Sequence, residues 1–534
     1  VDVILWRNEQ GAEIMRVVTS DMMREIDRRA ISEHGIPGII LMERAGCGIA
    51  MRAMAFIEEF EDIENTIVLT GPGNNGGDGW VCARIMHTEG YEVEVYSVIG
   101  PDELKGDAKK AFENARDAGV NYRVFLDGEI ELSGGELVID ALLGTGAKGE
   151  PRGAIARMIE LAMESDAEVL AVDNPTGVDA DSGEVAEKAI LATETLSLGL
   201  PKLGQFQFPG SLFVGELSVV DIGIPAEAYA DLTPDWRVDS TGELQSLLPF
   251  RPGDGHKGTF GKCSIIAGSV GMTGAVAMSA ESCLRSGVGL VEMIVPEGIV
   301  DVVDGLVREA VSRPVQQVKS NRCLSVRALG EILRLIEDSD SAAFGPGIGT
   351  HRETVDLVGR LLPKIHCPMV IDADGLNCIA KLRKRGADVV FGAHVILTPH
   401  PAELSRLLDI EVGEVISNRF SKINEWAREL GADVLVIKGA PTIIAGTETP
   451  IYVNRTGNNG MATGGSGDVL TGVIAGMLAQ GISPMDSARL GVYIHGFAGD
   501  LASAELGVRG MIAGDIIDCI PEALLDLELY DDFT

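Results

Sequence analysis

The sequence predicts two α/β domains in one chain of 534 residues. Three observations predict it. Nearly continuous apolar runs such as 136–143 and 167–173 read as strands covered by helices on both faces. Helical stretches follow most of these runs, the alternation of a mostly parallel sheet. Glycine is abundant, 66 residues, and gathers just after the strands, where a chain must turn tightly or approach a ligand closely. With 46% hydrophobic residues there is ample material for large cores.

In the first half, Ser20 is placed to cap a helix ending near Gly35. Residues 66–70 form a short strand that opens into the glycine-rich loop 71–79, with a helix beginning near Trp80. Strands at 91–99, 136–143 and 167–173 follow. The stretch 221–255 is rich in turn formers and lacks periodicity, so the domains are placed at 1–225 and 236–534. Beyond it, strands are expected at 263–267, 290–295, 341–344, 368–372, 393–397 and 433–437, with a helix after most of them. The last twenty residues, with seven acids and no base, read as a frayed or solvated end, and residues 1–14 as a processed or variable extension.

Charge narrows the function. Lys and Arg number 44 against 80 Asp and Glu, a formal charge of −36 that repels a phosphate backbone and an anionic membrane surface. General binding of nucleic acid or membrane is therefore not expected. No apolar run reaches the ~20 residues of a membrane span. The eight cysteines include no CxxC pair, which argues against a disulfide framework or thiolate zinc site and for a reducing cytoplasm.

The segment Gly71 to Gly79 formally contains GxGxxG, but the following strand ends in Ser-Val-Ile-Gly without the acid a dinucleotide crossover uses. Asn74 and Asn75 offer amide donors and oxygens to a cation or polar ligand; a tight turn with capping is the alternative. Asp140 lies in an apolar strand, where a carboxylate is costly unless paired, coordinated or used as a cap. That strand runs into Gly144-Thr145-Gly146-Ala147-Lys148-Gly149, a loop with one cation suited to a phosphate. Asp173 ends the next strand before Asn-Pro-Thr-Gly and reads equally as an acid or base or as an Asx turn.

In the second half, the segment 454–468 brings Gly464, Gly465, Ser466, Gly467 and Asp468 to the start of an apolar helix at 469–480. Converging backbone N–H groups and the helix dipole make an anion hole there, with Asp468 placed to take a proton. Lys438 to Thr442 offers a cation, backbone groups and a hydroxyl to a phosphate. His400 is held stiffly between prolines, though a lone histidine is more often structural. Asp372 and Asp374 stand at a strand end, where at least one carboxylate can reach the cleft, with magnesium contact through water as one use.

Residues 15–225, with the loop 71–79, Ile36-Pro37-Gly38 and 41–46, resemble the YjeF N-terminal family, which epimerises hydrated nicotinamide dinucleotides. The resemblance implies a Rossmann-like three-layer domain. NADH or NADPH carrying water at C6 would sit against Asn74, Asn75, Gly76, Gly77 and Asp78 and against Gly144, Thr145, Gly146, Ala147, Lys148, Gly149 and Glu150. It also implies a K⁺ bound by Asn75, Asp140 and Thr176, and proton transfer by Asp173. The usual Asp-Ile-Pro-Ser-Gly appears as Asp173-Asn-Pro-Thr-Gly, in which Thr keeps the hydroxyl.

Residues 236–525 resemble the CARKD-type, ADP- or ATP-dependent NAD(P)H-hydrate dehydratases, a branch of the ribokinase-like fold. By this resemblance Ala275, Gly347, His400 and Asp468 contact the hydrate, Lys438, Gly439, Ala440, Pro441, Thr442 and Gly467 hold the adenine nucleotide, and Gly465, Ser466 and Gly467 form the anion hole. It implies Mg²⁺ and favours ADP over ATP. The expected function is epimerisation of the R and S hydrates by the first domain and ADP-dependent dehydration of the S hydrate by the second, giving AMP and phosphate, in a cytoplasmic homo-oligomer. The alternative is a ribokinase-like small-molecule kinase with a non-catalytic N-terminal binding module.

Overall fold

The computed structural model describes residues 14–530 apart from 61–62, 127–129, 131 and 133–134, so the expectations for 1–13 and 531–534 fall outside the described residues. The chain divides into two compact units, the first ending at Asp235 and the second beginning at Trp236.

The sheet of the first unit comprises β1 (Asn65–Thr70), β2 (Val93–Ser97), β3 (Asn121–Val124), β4 (Glu136–Ala141), β5 (Glu168–Val172), β6 (Glu194–Leu198) and β7 (Glu216–Val220). Their order is β3-β2-β1-β4-β5-β6-β7, and every neighbouring pair is parallel. Strand residues alternate between two cores. Val68, Val95, Leu137 and Ile139 pack on one face with helices Gly38–Glu59, Asn74–Thr88 and Gly106–Asp117, while Ile67, Leu69 and Val138 pack on the other with helix Ala154–Glu164. Burial on both faces is why these strands read as continuous apolar runs. The chain leaves β1 in one direction and resumes at β4 in the other, which makes their carboxyl ends a topological switch point, the usual ligand crevice of an open α/β sheet.

The second unit contains β8 (Trp236–Asp239), β9 (Lys262–Ile266), β10 (Leu290–Pro296), β11 (Val311–Val315), β12 (Ser341–Phe344), β13 (Met369–Ile371), β14 (Val395–Leu397), β15 (Val434–Ile437), β16 (Ile443–Ala445) and β17 (Ile451–Val453). The order within this unit is β8-β17-β16-β15-β14-β13-β12-β9-β10-β11. Pairs from β15 to β11 are parallel, but β15-β16-β17 is an antiparallel meander, so the sheet is mixed. A second switch point lies between β9 and β12.

Several local expectations change. The first helix is Ser20–Ser32, capped by Thr19 rather than Ser20: the Thr19 hydroxyl accepts from the Met22 N–H at 3.3 Å. The helix expected near Trp80 begins at Asn74, so Asn74 to Gly79 form its first turns instead of a loop. Glycine is used there for close packing: a Cβ on Gly76 would collide with the Gly71 carbonyl, and one on Gly79 would lie 2.6 Å from the Ala141 Cβ. The apolar helix after the anion hole begins at Ser466, not 469, and runs to Ala479. The acidic end is not frayed over 513–528; helix Ala513–Glu528 buries Ile516, Ile517, Ile520 and Leu527. Its acids lie largely between those apolar positions, a pattern that counting charge alone conceals. No helix among the described residues is long and apolar enough to cross a membrane.

Candidate functional site

In the first unit the switch point gathers two groups of polar residues. Asp140, fully buried in β4, accepts from the Thr176 N–H at 2.8 Å and the Thr176 hydroxyl at 2.8 Å, and from the Leu142 N–H at 3.2 Å. Burial pushes its carboxyl up to about 6 against the pull of those hydrogen bonds. The Thr176 hydroxyl oxygen also accepts from the Leu143 N–H at 3.1 Å, so one carboxylate organises both turns. Asn75 is buried, its amide Nδ2 has no hydrogen-bond partner among the described residues, and its side chain packs against Gly144. Asn75, Asp140 and Thr176 thus supply hard oxygen donors, and no Lys or Arg pairs with Asp140 among the described residues. Those oxygens, with a single formal charge among them, suit a monovalent cation, while the Asn75 amide nitrogen is a donor left for an acceptor on a ligand.

A cleft of about 140 Å³ lies alongside, lined by residues including Gly144, Lys148, Glu150, Asn174, Asp179 and Glu184. Lys148 is exposed at its rim, 3.5 Å from Asp181, and the Glu150 carboxylate accepts from the Glu187 N–H at 3.1 Å. Thr145, Gly146 and Gly149 belong to the same loop, turned by the Ala147 N–H donating to the Gly144 carbonyl at 3.1 Å.

The second group centres on Asp173. Its backbone has φ +67°, and its carboxylate Oδ1 accepts from the Leu198 N–H at 3.1 Å and from the Lys202 ammonium. The Asx-turn alternative is therefore not what this carboxylate does. Asn174 holds the turn instead, its amide donating to the Val178 carbonyl at 2.7 Å. Asp78, in helix Asn74–Thr88, is buried, which pushes its carboxyl well above the usual range; Asp173 and Asp27 add to this and Lys202 opposes it. Burial likewise holds Asp27 up at about 6. Asp27, Asp78, Asp173 and Lys202 form one charge cluster, and Asp27 and Lys202 were missed by sequence reasoning. The available signal was a lone lysine in the apolar run 198–203.

In the second unit, β13 stops at Ile371, so Asp372 and Asp374 lie beyond the strand; Ala373 has φ +50° and helix Asp374–Lys384 begins at once. Asp372 is buried and accepts from Lys438 Nζ at 2.6 Å and from the Thr471 hydroxyl at 2.8 Å. Asp374 accepts from the Gly349 N–H at 2.9 Å, beside Gly347, whose carbonyl accepts from the Ser269 hydroxyl at 2.7 Å. Gly347 also abuts Ala275.

Gly467 faces Lys438 and Asp372: a Cβ there would lie 3.3 Å from Lys438 Nζ and 3.5 Å from Asp372 Oδ2. One residue on, Asp468 sits in the first turn of the helix, its carboxyl pushed up to about 7 by burial and then by the charge of Asp372, with Lys438 opposing. Gly465 turns the chain into this helix at φ +100°. The Ser466 hydroxyl is 3.3 Å from His495 Nε2, and burial pushes that histidine down to about 4, so it is neutral at pH 7.

His400 caps helix Pro401–Leu408, its Nδ1 accepting from the Ala402 N–H at 3.2 Å, and burial with Lys438 and Arg406 pushes it below the usual range. The buried Glu403 accepts from the His400 N–H at 3.0 Å and lies 3.9 Å from Lys438. In the turn 439–442 the Thr442 hydroxyl donates to the Gly439 carbonyl at 3.1 Å and the Arg419 guanidinium to the Ala440 carbonyl at 3.0 Å, while Pro441 follows. Lys438, Gly467, Asp468 and His400 are thus joined through Asp372 and Glu403. Thr471, Arg419 and His495 were not anticipated: Thr471 and His495 sit in helices whose neighbours read as core, and Arg419 sits among polar residues that read as a solvated face.

Two family models match the chain: YjeF-related protein N-terminus over residues 38–204 and NAD(P)H-hydrate dehydratase over residues 263–522. The bifunctional NAD(P)H-hydrate repair enzyme Nnr of Moorella thermoacetica is 39% identical over 522 residues, covering 96% of this chain and 97% of that protein. The enzyme of the same name from Thermofilum pendens is 36% identical over 516 residues, 96% of each chain. A crystal structure of the ADP/ATP-dependent NAD(P)H-hydrate dehydratase from Bacillus subtilis, co-crystallised with ATP/Mg²⁺, is 29% identical with a TM-score of 0.48 and covers 54% of this chain and 98% of that one. Relatives this similar along nearly the whole of both chains place the protein in the family of bifunctional NAD(P)H-hydrate repair enzymes.

Proposed function

We propose that the first unit exchanges the R and S forms of NADH and NADPH hydrated at C6, and that the second unit dehydrates the S form with ADP, giving AMP and phosphate. The observation that carries the reading is Asp468 at a helix N-terminus beside the Lys438–Asp372 pair. A carboxylate with its proton affinity raised to about 7 is matched to removing a proton from an alcohol at neutral pH.

In the second unit Asp468 takes the C6 hydroxyl proton as that oxygen attacks the terminal phosphorus of the nucleotide, and AMP leaves. The N–H groups of Gly465, Ser466 and Gly467 and the Lys438 ammonium neutralise the charge on the moving phosphoryl group. The nicotinamide nitrogen lone pair then expels phosphate from C6, and loss of a C5 proton restores the ring double bond. Ala275, Gly347 and His400 line the hydrate, and residues 438–442 hold the nucleotide. A Mg²⁺ entering with the nucleotide would supply further charge neutralisation, with Asp372 and Asp374 as the carboxylates placed to reach it through water.

In the first unit Asp173 moves protons at the C6 hydroxyl of a hydrate lying against 74–78 and 144–150. Asn75, Asp140 and Thr176 would hold K⁺, which supplies positive charge near the dinucleotide. A cytoplasmic setting is supported by eight cysteines that are all free.

The deciding experiment incubates the mixed hydrates with Mg²⁺ and ADP or ATP separately, following the absorbance of reduced nicotinamide. Recovery with ADP supports the reading, recovery with ATP alone changes the co-substrate, and a phosphorylated product that accumulates would make the second unit a kinase. Elution with light scattering tests the expected homo-oligomer.

A further inference from the structure

Asp173 is fixed at almost every polar atom. Its N–H donates to the Leu196 carbonyl at 2.8 Å, its carbonyl accepts from Gln205 Nε2 at 2.8 Å, and Oδ1 accepts from the Leu198 N–H and from Lys202. Oδ2 alone has no hydrogen-bond partner among the described residues, and the side chain keeps 14% exposure. A φ of +67° on a non-glycine residue is strained and persists only where surroundings overdetermine it.

Lys202 is 0% exposed. Its ammonium has three hydrogens and three acceptors: Asp173 Oδ1, the Ser197 hydroxyl at 3.2 Å and the Leu198 carbonyl at 3.0 Å. All its donors are spent, so it has none to offer a substrate. A buried ammonium carries a large desolvation penalty unless paired, and here its ion-pair partner is Asp173. Among the described residues, the charged groups facing Asp173 from the packed elements are Lys202, Asp78 of helix Asn74–Thr88 and Asp27 of helix Ser20–Ser32, one cation among three carboxylates.

We infer that Lys202 is a positioning residue of the first unit's site: it anchors Oδ1 of Asp173 and so keeps Oδ2 directed at the ligand. This rests on the reading of that unit as the hydrate epimerase.

The test uses the full chain and the mixed R and S hydrates, measuring epimer exchange directly, with S-hydrate dehydration in the same samples as an internal control. Lys202→Gln is expected to lower the kcat of exchange about 10-fold or more, a part of the roughly 10²- to 10⁴-fold that a positioned acid or base contributes, with KM and dehydration unchanged. In an Asp173→Asn background the same substitution should change exchange less than about 2-fold, because the anchored charge is already gone. If Lys202→Gln fails to fold by thermal unfolding, Ser197→Ala loosens the ammonium while keeping the ion pair, and a several-fold fall in kcat at constant KM is expected. Retained kcat in Lys202→Gln, or in Ser197→Ala where that variant stands in, or independent multiplying effects in the cycle, overturns the inference. Absent exchange in the wild-type chain instead overturns the reading of the unit.

Discussion

Lys438 Nζ lies 2.6 Å from Asp372 Oδ1, an ion pair at the carboxyl ends of β13 and β15 that sets the electrostatics of Asp468. Asp372 raises the proton affinity of Asp468 and Lys438 lowers it, so the pair tunes the group proposed as the base of dehydration.

The pH dependence follows with a definite sign. Below about 7 the Asp468 carboxyl is protonated and cannot accept a proton; above it the carboxylate is available. At limiting hydrate, the kcat/KM of dehydration, which reports groups of the free protein, is expected to rise with pH to a plateau, with its midpoint near 7. Asp372→Asn removes a repelling charge, and the midpoint should move to lower pH. A pH–rate profile of both proteins checks this, and an unmoved midpoint counts against it.

Asp468→Asn keeps the shape of the helix start and removes the base. Dehydration should fall by about 10²-fold or more, with adenine nucleotide binding retained by calorimetry and epimer exchange untouched.

Gly465→Ala probes the turn into the same helix. The residue adopts φ +100°, and a Cβ would collide with the Met278 sulfur and lie 3.2 Å from the Ala513 Cβ. A cost of about 1–2 kcal/mol from the backbone alone, and lost dehydratase activity, are expected in thermal unfolding and recovery assays. Exchange of epimers should survive.

Thr176→Val removes the hydroxyl that Asp140 and the Leu143 N–H share. The buried carboxylate then loses a donor, at a cost of about 1–3 kcal/mol. Epimer exchange measured against K⁺ concentration should need more K⁺ for half-activation, while Thr176→Ser should behave as the parent. Equal K⁺ curves for Val and Ser would remove the hydroxyl from the ion's donor set.

The sequence by itself determined the fold class, the family, and most chemistry-bearing segments, because those depend on local quantities: apolar runs of strand length, glycines after them, and polar residues at strand ends. It placed the helix starts at Trp80 and 469 several residues late, since glycine discourages a helix in isolation while close approach to Gly71, Ala141 or Met278 demands it. Only the tertiary structure decided the partners. Lys202 reaches Asp173 across 29 residues, Thr471 reaches Asp372 across 99, and Lys438 reaches it across 66. Parallel strands joined by helices bring their carboxyl ends together whatever their separation in sequence, so which charge neutralises which is a property of the sheet order.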